Sequence, residues 1–292
     1  MKILGAVPNV SEGKDVKFIQ ELVDISSNYE KLWVISKNID DYYNRTMISV
    51  AGEPNSVVEY LFELTKVCSS KINLNKHRGS YPRIGAVDVI PLIPITSVSD
   101  EEALELANSL GKRIADELTI PVYFYEKSTN RPSRKHINYI RAGEFEKLSE
   151  RMKQEEWKPD FGPAHPHPTA GTTIVGVREF LITLNFYIDT KNRWMAEQIR
   201  REVIIEIPGS VFLDHDDIGF YILTVNASAR DINLFDLINT TNKIIEHFEC
   251  KLYKFEIPTP LTSKILSQSL KSFVKSAPGD IKTIEEYILK EM

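Results

Sequence analysis

The amino-acid sequence predicts an α/β (α+β) protein built from two ferredoxin-like βαββαβ subdomains joined by a Pro-rich hinge. Three observations predict it. Apolar spacing alternates between a period of two and a period near 3.6 over the first ninety residues, in the order βαββαβ. The same order returns after residue 180. Between the two runs lies WKPDFGPAHPHPTAGTT at 157–173, whose four prolines and two glycines exclude a helix or a central strand. That stretch reads as a linker or a binding loop, and the expected subdomains are 1–175 and 176–292.

Lys2 to Val7 reads as a strand stopped by Pro8, and 14–29 as a helix with Val16, Ile19 and Val23 on one face. Strands are expected at 31–37 and 45–51. A helix at 55–71 carries Val57, Leu61, Leu64 and Cys68 at helical spacing, and Ala86 to Leu92 closes the first unit as a strand. Next comes a helix from Asp100, with Ser99 as N-cap and Glu102 three residues on. Val122 to Tyr125 follows as a strand, and the polar, basic run from Lys127 to Arg141 is expected to wrap over the surface. In the second half, strands are expected at 180–188, 210–213, 218–225 and 251–257, and helices at 191–203 and 231–248. Two short helices near 262–274 and 280–291 complete the reading.

The 292 residues suit two domains of about 150 residues each. A net charge of −5 provides no general field for a nucleic-acid backbone. The longest apolar stretches are interrupted well short of the roughly 20 residues of a membrane span. The apolar run at the N-terminus is too short for a signal peptide, so no membrane or secretory role is expected. Cys68 and Cys250 lie far apart in apolar helical patterns and read as small core residues, which fits a reducing cytoplasm.

Against this acidic background the segment Lys76-His77-Arg78-Gly79-Ser80-Tyr81-Pro82-Arg83-Ile84-Gly85-Ala86-Val87-Asp88 stands out. Cations, a histidine and glycines precede an apolar strand, as a small-anion site requires: glycine lets backbone N–H groups approach, and arginine offers a planar fork. The plain alternative is a basic surface loop. Asp88 is either inward and paired or on the polar face. A second candidate is Pro8 to Gly13 with Asn9, a strand-to-helix turn suited to an anion, unless Ser11 merely caps the helix. Asn44-Arg45-Thr46 is a polar triplet opening a strand. His165 and His167 are a weak metal pattern, and no metal site is expected. An RNA-binding sheet is a further alternative, for which Phe220-Tyr221 is the nearest aromatic run, beside Asp216 and Asp217 that would repel phosphate.

Taken in order, eight pieces resemble the glutamate formiminotransferase family, found alone and as part of formiminotransferase-cyclodeaminase. They are VPNVSEG (Val7 to Gly13), NRT (Asn44 to Thr46), His77 through Pro82-Arg83, Gly85-Ala86 with Asp88-Val89, PVY (Pro121 to Tyr123), RAGE (Arg141 to Glu144), EW-PDFGP (Glu156 to Pro163) and HPTAG (His167 to Gly171). The resemblance implies a cytoplasmic, folate-binding transferase of histidine degradation and one-carbon metabolism. It would move a formimino group from N-formimino-L-glutamate to tetrahydrofolate as co-substrate. It also implies two α/β subdomains with folate in the cleft between them, and a homodimer. No cyclodeaminase activity is expected of these residues. On the resemblance, the folate loop corresponds to Gly162, Pro163, Ala164, His165, Pro166, His167, Pro168, Thr169, Ala170 and Gly171. Catalysis is expected at His77, Arg83 and position 81, and substrate binding at Asn9, Asn44, Arg45 and Asp88.

The chain departs from the family at two places. Tyr81 stands where members carry the histidine proposed as general base, and Asn38 stands where an acidic residue is typical, with Asp40 and Asp41 further along. A phenol, with a pKa near 10, is a weaker base at neutrality than imidazole. His77, His165 or His167 could take over the proton. The binding-only alternative is a paralogue that holds a folate or pterin without turning it over.

Overall fold

The computed structural model describes residues 1–80, 82–216, 219–229, 233–257, 261–262 and 265–270. The chain divides into two compact units, Met1–Arg178 and Glu179–Met292.

In the first unit, β1 (Ile3–Ala6) and β2 (Asn9–Val10) are two pieces of one strand line interrupted at Val7-Pro8. Then come α1 (Val16–Asp24), β3 (Leu32–Asp40), β4 (Arg45–Gly52), α2 (Pro54–Lys71), β5 (Val87–Thr96), α3 (Asp100–Leu118) and β6 (Val122–Phe124). Two short helices, α4 (Ile137–Arg141) and α5 (Glu144–Arg151), precede β7 (Thr173–Val177). Local chemistry fixes several boundaries. α2 starts on Pro54, whose missing N–H costs nothing at a first turn, and Glu53 accepts from the N–H groups of Asn55 and Ser56. Ser99 caps α3 by accepting from the Glu102 N–H at 3.1 Å, as its spacing predicts. α1 is shorter than expected because Asp15, not Ser11, caps it, and a 3-10 turn takes over at Ile25–Asn28.

The sheet runs β3-β4-β1/β2-β5-β7-β6, with β5 antiparallel to β1 and β2 and parallel to β7. Side chains alternate across it. Ile90, Val122 and Val175 face the main core with α2 and α3, while Val89, Tyr123 and Ile174 face a second core with Ile140, Leu148 and Met152. That second layer corrects the expectation for 127–141. The run carries the α4 helix, and Arg134 and Arg141 are both buried.

The expected hinge is also corrected. Residues 160–173 are bonded into the first unit: Phe161 bridges Val122, His167 pairs with Gly171, and β7 joins the sheet. The division of the chain falls after them, at Arg178. β7 has no counterpart in the predicted elements, because its apolar TIVGV run follows the prolines directly.

The second unit runs β8 (Leu181–Asp189), α6 (Arg193–Glu206), β9 (Ser210–His215), β10 (Tyr221–Ser228), α7 (Leu234–His247), β11 (Lys251–Glu256), with sheet order β11-β8-β10-β9, all antiparallel. Ile182, Leu184, Phe186 and Ile188 alternate into a core with Ile199, Val203, Leu237 and Ile245 from the helices. The opposite sheet face carries Thr183–Asn226 and Thr224–Asn185 side-chain hydrogen bonds at 2.6 and 2.9 Å between directly opposed residues. Of the two C-terminal helices expected, residues 265–270 are helical, and the second lies outside the described residues. Among the described residues no helix is long and apolar enough to cross a membrane.

Candidate functional site

The segment 76–88 is held in place by the other segments that stand out in the sequence. Asn44, in the left-handed region at φ 50°, accepts from the Gly13 N–H at 2.9 Å and donates to the Arg78 carbonyl at 2.8 Å. A short side chain that can bond locally is the type that tolerates such a backbone. Thr46 donates to the Glu12 carbonyl, and Ser11 to that of Gly85 at 2.7 Å. Gly85 and Gly171 face each other in a β-bridge. A Cβ at Gly85 would lie 1.9 Å from the Thr172 carbonyl oxygen, and one at Gly171 would lie 2.1 Å from that of Ile84. Only glycine fits the crossing.

Three ion pairs clamp residues 141–146 onto this segment. Asp88 is buried and accepts from the Ile84 N–H at 2.7 Å and from Arg141 Nε at 2.8 Å. Its inward, paired reading is therefore the one realised. Arg83, also buried, donates through Nη1 and Nη2 to both carboxylate oxygens of Glu146 at 2.8 and 2.7 Å, and through Nη1 to Glu144 at 2.9 Å. The Phe145 N–H bonds the Arg83 carbonyl. Gly143 and Glu144 adopt consecutive positive φ values of 81° and 54°, a turn that strains Glu144 and directs 144–146 back onto Arg83. The bond to Glu146 raises the Arg83 pKa above its ordinary value, and the same bond lowers that of Glu146.

His77 completes the chain. Its Nε2–H donates to the Asn44 carbonyl at 2.9 Å, and its Nδ1 accepts from Arg83 Nε at 3.2 Å. These partners fix the neutral Nε2–H tautomer. Burial pushes its pKa below the ordinary imidazole value, the Asn44 bond opposes that, and the adjacent Arg83 charge adds to the lowering. To accept a proton on Nδ1, His77 must first release Arg83.

The Pro-rich loop adjoins the same place. Leu74 N–H bonds the Thr169 carbonyl at 2.8 Å, Asn75 Nδ2 that of Pro168 at 2.9 Å, and Ala86 N–H that of Ala170 at 2.9 Å. His167 Nδ1 accepts from the N–H groups of Thr169 and Ala170 at 3.3 and 3.0 Å, and burial lowers its pKa.

A cleft of about 860 Å³ opens over this arrangement, lined by His77, Arg78, Gly79, Arg83, residues 143–147 and Pro166 among others. A smaller one of about 440 Å³ lies on the other side of His77, with Ser11, Glu12, Lys14, Asn44, Lys76 and Arg78. Of the expected site residues, His77 and Arg83 therefore face the larger cleft with Pro166, and Asn44 and His77 face the smaller. Asn9, Arg45 and Asp88 line neither: Asn9 pairs in the sheet with Met47, Arg45 lies near the Tyr43 ring, and Asp88 holds the clamp. Gly162, Pro163, Ala164, His165, His167, Pro168, Thr169, Ala170 and Gly171 also line neither cleft. Tyr81 lies outside the described residues. Glu144 and Glu146 are absent from the predicted site residues. The RAGE resemblance marked Glu144's segment, but nothing local predicts that its carboxylates reach Arg83, some 60 positions earlier. In the second unit, Phe220 stacks on Tyr253 at 4.5 Å and Asp216 accepts from the Gly219 and Phe220 N–H groups.

Comparison with known proteins gives a consistent picture. Residues 3–178 match the family model described as the formiminotransferase domain, N-terminal subdomain. A glutamate formimidoyltransferase from Streptococcus pyogenes serotype M1 is 36% identical over 200 residues, covering 68% of this chain and 67% of that protein. One from Thermoplasma acidophilum is 34% identical over 236 residues, covering 80% of this chain and 77% of that protein. The formimidoyltransferase-cyclodeaminase of Mus musculus is 32% identical over 298 residues, which is 99% of this chain and 54% of that protein. The chain thus spans about half the length of the mouse relative.

Proposed function

Since this chain belongs to the formiminotransferase family, we propose that it transfers the formimino group of N-formimino-L-glutamate to tetrahydrofolate, releasing L-glutamate. The observation that carries the reading is the joining of six family-like segments by hydrogen bonds and ion pairs into one arrangement bordered by two clefts: VPNVSEG, NRT, His77 to Arg83, Gly85 to Val89, RAGE and HPTAG. The named relatives that are transferases favour turnover over ligand binding alone.

Tetrahydrofolate supplies the nucleophilic nitrogen, and the donor's amidine carbon receives it. As the new C–N bond forms and the bond to the glutamate nitrogen breaks, one proton must leave the attacking nitrogen and reach the departing amine. The chain's residues have distinct parts in this. Arg83 offers a guanidinium that suits a carboxylate of the donor or of the folate tail. His77, with both ring nitrogens bonded, orients Arg83 and Asn44 rather than accepting the proton. Of the resemblance's folate loop at 162–171, Pro166 stands at the larger cleft beside the basic segment and the other residues support it, while Asn9, Asn44, Arg45 and Asp88 hold the geometry of the substrate side. Tyr81 occupies the base position of the family resemblance. A cytoplasmic homodimer completes the proposal, and light scattering of the purified chain tests its oligomeric part.

The decisive experiment is a turnover assay with N-formimino-L-glutamate and tetrahydrofolate. Formation of 5-formiminotetrahydrofolate is expected, and its absence alongside tight tetrahydrofolate binding would overturn the assignment. The pH–rate profile examines position 81. With Tyr81 as acceptor the rate climbs far into the alkaline range, whereas Tyr81→His should bring the ascending limb down toward about 6.5. An unchanged profile would exclude position 81 from proton transfer.

A further inference from the structure

The pairing of Arg83 points beyond this reading, while resting on it for the identity of the ligand. Arg83 is buried, so its charge requires a partner at every stage. It has two. Glu144 and Glu146 both reach it, and the three groups together carry one negative charge in excess. The two carboxylates are not equivalent. Glu144, 43% exposed, meets Arg83 through one oxygen from the strained turn, whereas the Glu146 side chain, two residues further on, is 58% exposed. Its bond to Arg83 is nonetheless the side-on, two-oxygen geometry with which arginine recognises a carboxylate ligand. The backbone beneath it is independently tied, because the Phe145 N–H bonds the Arg83 carbonyl and the Lys147 N–H that of Gly143. The Glu146 side chain can therefore swing into water without the segment moving. Both Arg83 and Glu146 line the 860 Å³ cleft.

We infer that Glu146 is a specificity-determining stand-in for a substrate carboxylate, holding the Arg83 fork until a carboxylate of the glutamate-class ligand takes its place. Glu144 remains on Arg83 throughout. The exchange trades one carboxylate for another, so the charge on Arg83 stays compensated. A ligand that offers an amide at this position leaves Glu146 in place and is rejected. The stand-in lowers affinity for its own ligand in return for that discrimination.

Glu146→Gln removes the competitor and should tighten L-glutamate in calorimetry by about three- to fivefold, the upper part of the range for an exposed ion pair. The KM for N-formimino-L-glutamate should fall in step. Glu146→Asp, which keeps the charge but is one methylene shorter, should lie between the two. Glu144→Gln, which removes the permanent partner, should weaken L-glutamate. A purely structural Glu146 predicts the reverse for Glu146→Gln: unchanged or weaker binding with a lower melting temperature. Either of those results overturns the inference. If the wild type turns over and Glu146→Gln does not lower KM, only the stand-in role fails. If Glu146→Gln tightens L-glutamate but no variant forms 5-formiminotetrahydrofolate, the exchange stands and the assigned reaction fails. If no variant binds L-glutamate, the stand-in role fails outright.

Discussion

Arg83 and Arg134 are both buried arginines paired with acidic residues, yet their surroundings give them opposite work. Arg134 donates to Asp160 at 2.9 Å and to the carbonyls of Glu156 and Lys158 at 2.7 and 2.6 Å, with its guanidinium over the Tyr123 ring. Asp160 in turn accepts from the Phe124 N–H. Arg134 is thus tied mainly to backbone and lines neither of the two clefts described above, and burial lowers its pKa. Arg83 ends on two exposed carboxylates at an open cleft, and its pKa is raised by the bond to Glu146. Burial of an arginine therefore does not mark a site by itself. The distinction lies in whether the partners are fixed backbone or side chains that a ligand can replace.

The contrast is broken most directly by removing each guanidinium. Arg134→Met leaves Asp160 and two carbonyls unpaired and should cost about 3 kcal/mol of stability, the low end for breaking a buried pair because Asp160 keeps some water. At roughly 2–4 °C per kcal/mol, calorimetry should register a clear fall in the melting temperature. The KM of the surviving enzyme should not change at low temperature. Arg83→Met frees carboxylates that return to solvent, so the stability loss should be smaller. Its kcat/KM should fall by about a hundredfold, the worth of two charge-assisted hydrogen bonds. If Arg83→Met destabilises as much as Arg134→Met and leaves kcat/KM intact, the two regions do not differ in kind.

The same contrast shows what was legible in the sequence. Neighbouring residues fixed the Ser99 cap, the alternation of β4 and the helical faces of α2 and α3, and those readings rest on short-range rules. A basic run normally stays in water, so the sequence pattern places Arg134 and Arg141 at the surface. Their partners are 26 and 53 positions away, and only the fold brings them together. β7 gives no strand signal because an apolar run of five residues with a glycine, placed after a Pro-rich loop, has no alternation when both faces are buried. At the site, the composition of 76–88 pointed to an anion region. The two carboxylates that cap Arg83 depend on the left-handed turn at Gly143-Glu144, which no residue there other than the glycine predicts.

A smaller effect concerns pH. His77 and His167 both have pKa values lowered by burial from an ordinary 6.5. Above that value both are neutral folded and unfolded, and their contribution is complete. As pH falls below it, the unfolded chain takes up protons that the native imidazoles resist, so stability declines until the folded values are reached. Urea midpoints should therefore fall between pH 7 and pH 5.5. In His77→Gln the decline should be shallower, because one of the two groups is gone. An equal decline in that variant would show that His77 titrates as it would in water, contrary to its bonding with Asn44 and Arg83. No counterpart is expected at Arg134, which has no histidine beside it in its hydrogen-bond set.

The smallest expected effect lies in the Pro-rich loop, and it asks whether this region behaves like the surroundings of Arg83 or of Arg134. His167 Nδ1 accepts two N–H groups across a turn that the His167–Gly171 backbone pair already closes at 2.8 and 3.0 Å. The bonds to Leu74, Asn75 and Ala86 anchor the same residues independently. Removing the imidazole in His167→Ala should then cost only about 1 kcal/mol, the net value of one neutral hydrogen bond. Asn presents an oxygen at similar reach, so His167→Asn should recover most of it. A loop that serves only as scaffold, as around Arg134, would show this stability change and nothing else. A loop that contacts the folate should also raise the KM for tetrahydrofolate in His167→Ala more than the KM for the donor, because the anchors toward Leu74 and Ala86 keep the donor side in place. Equal changes in the two KM values would assign the loop to the scaffold, and failure of Asn to rescue would show that the Nδ1 bonds are not what orders the turn.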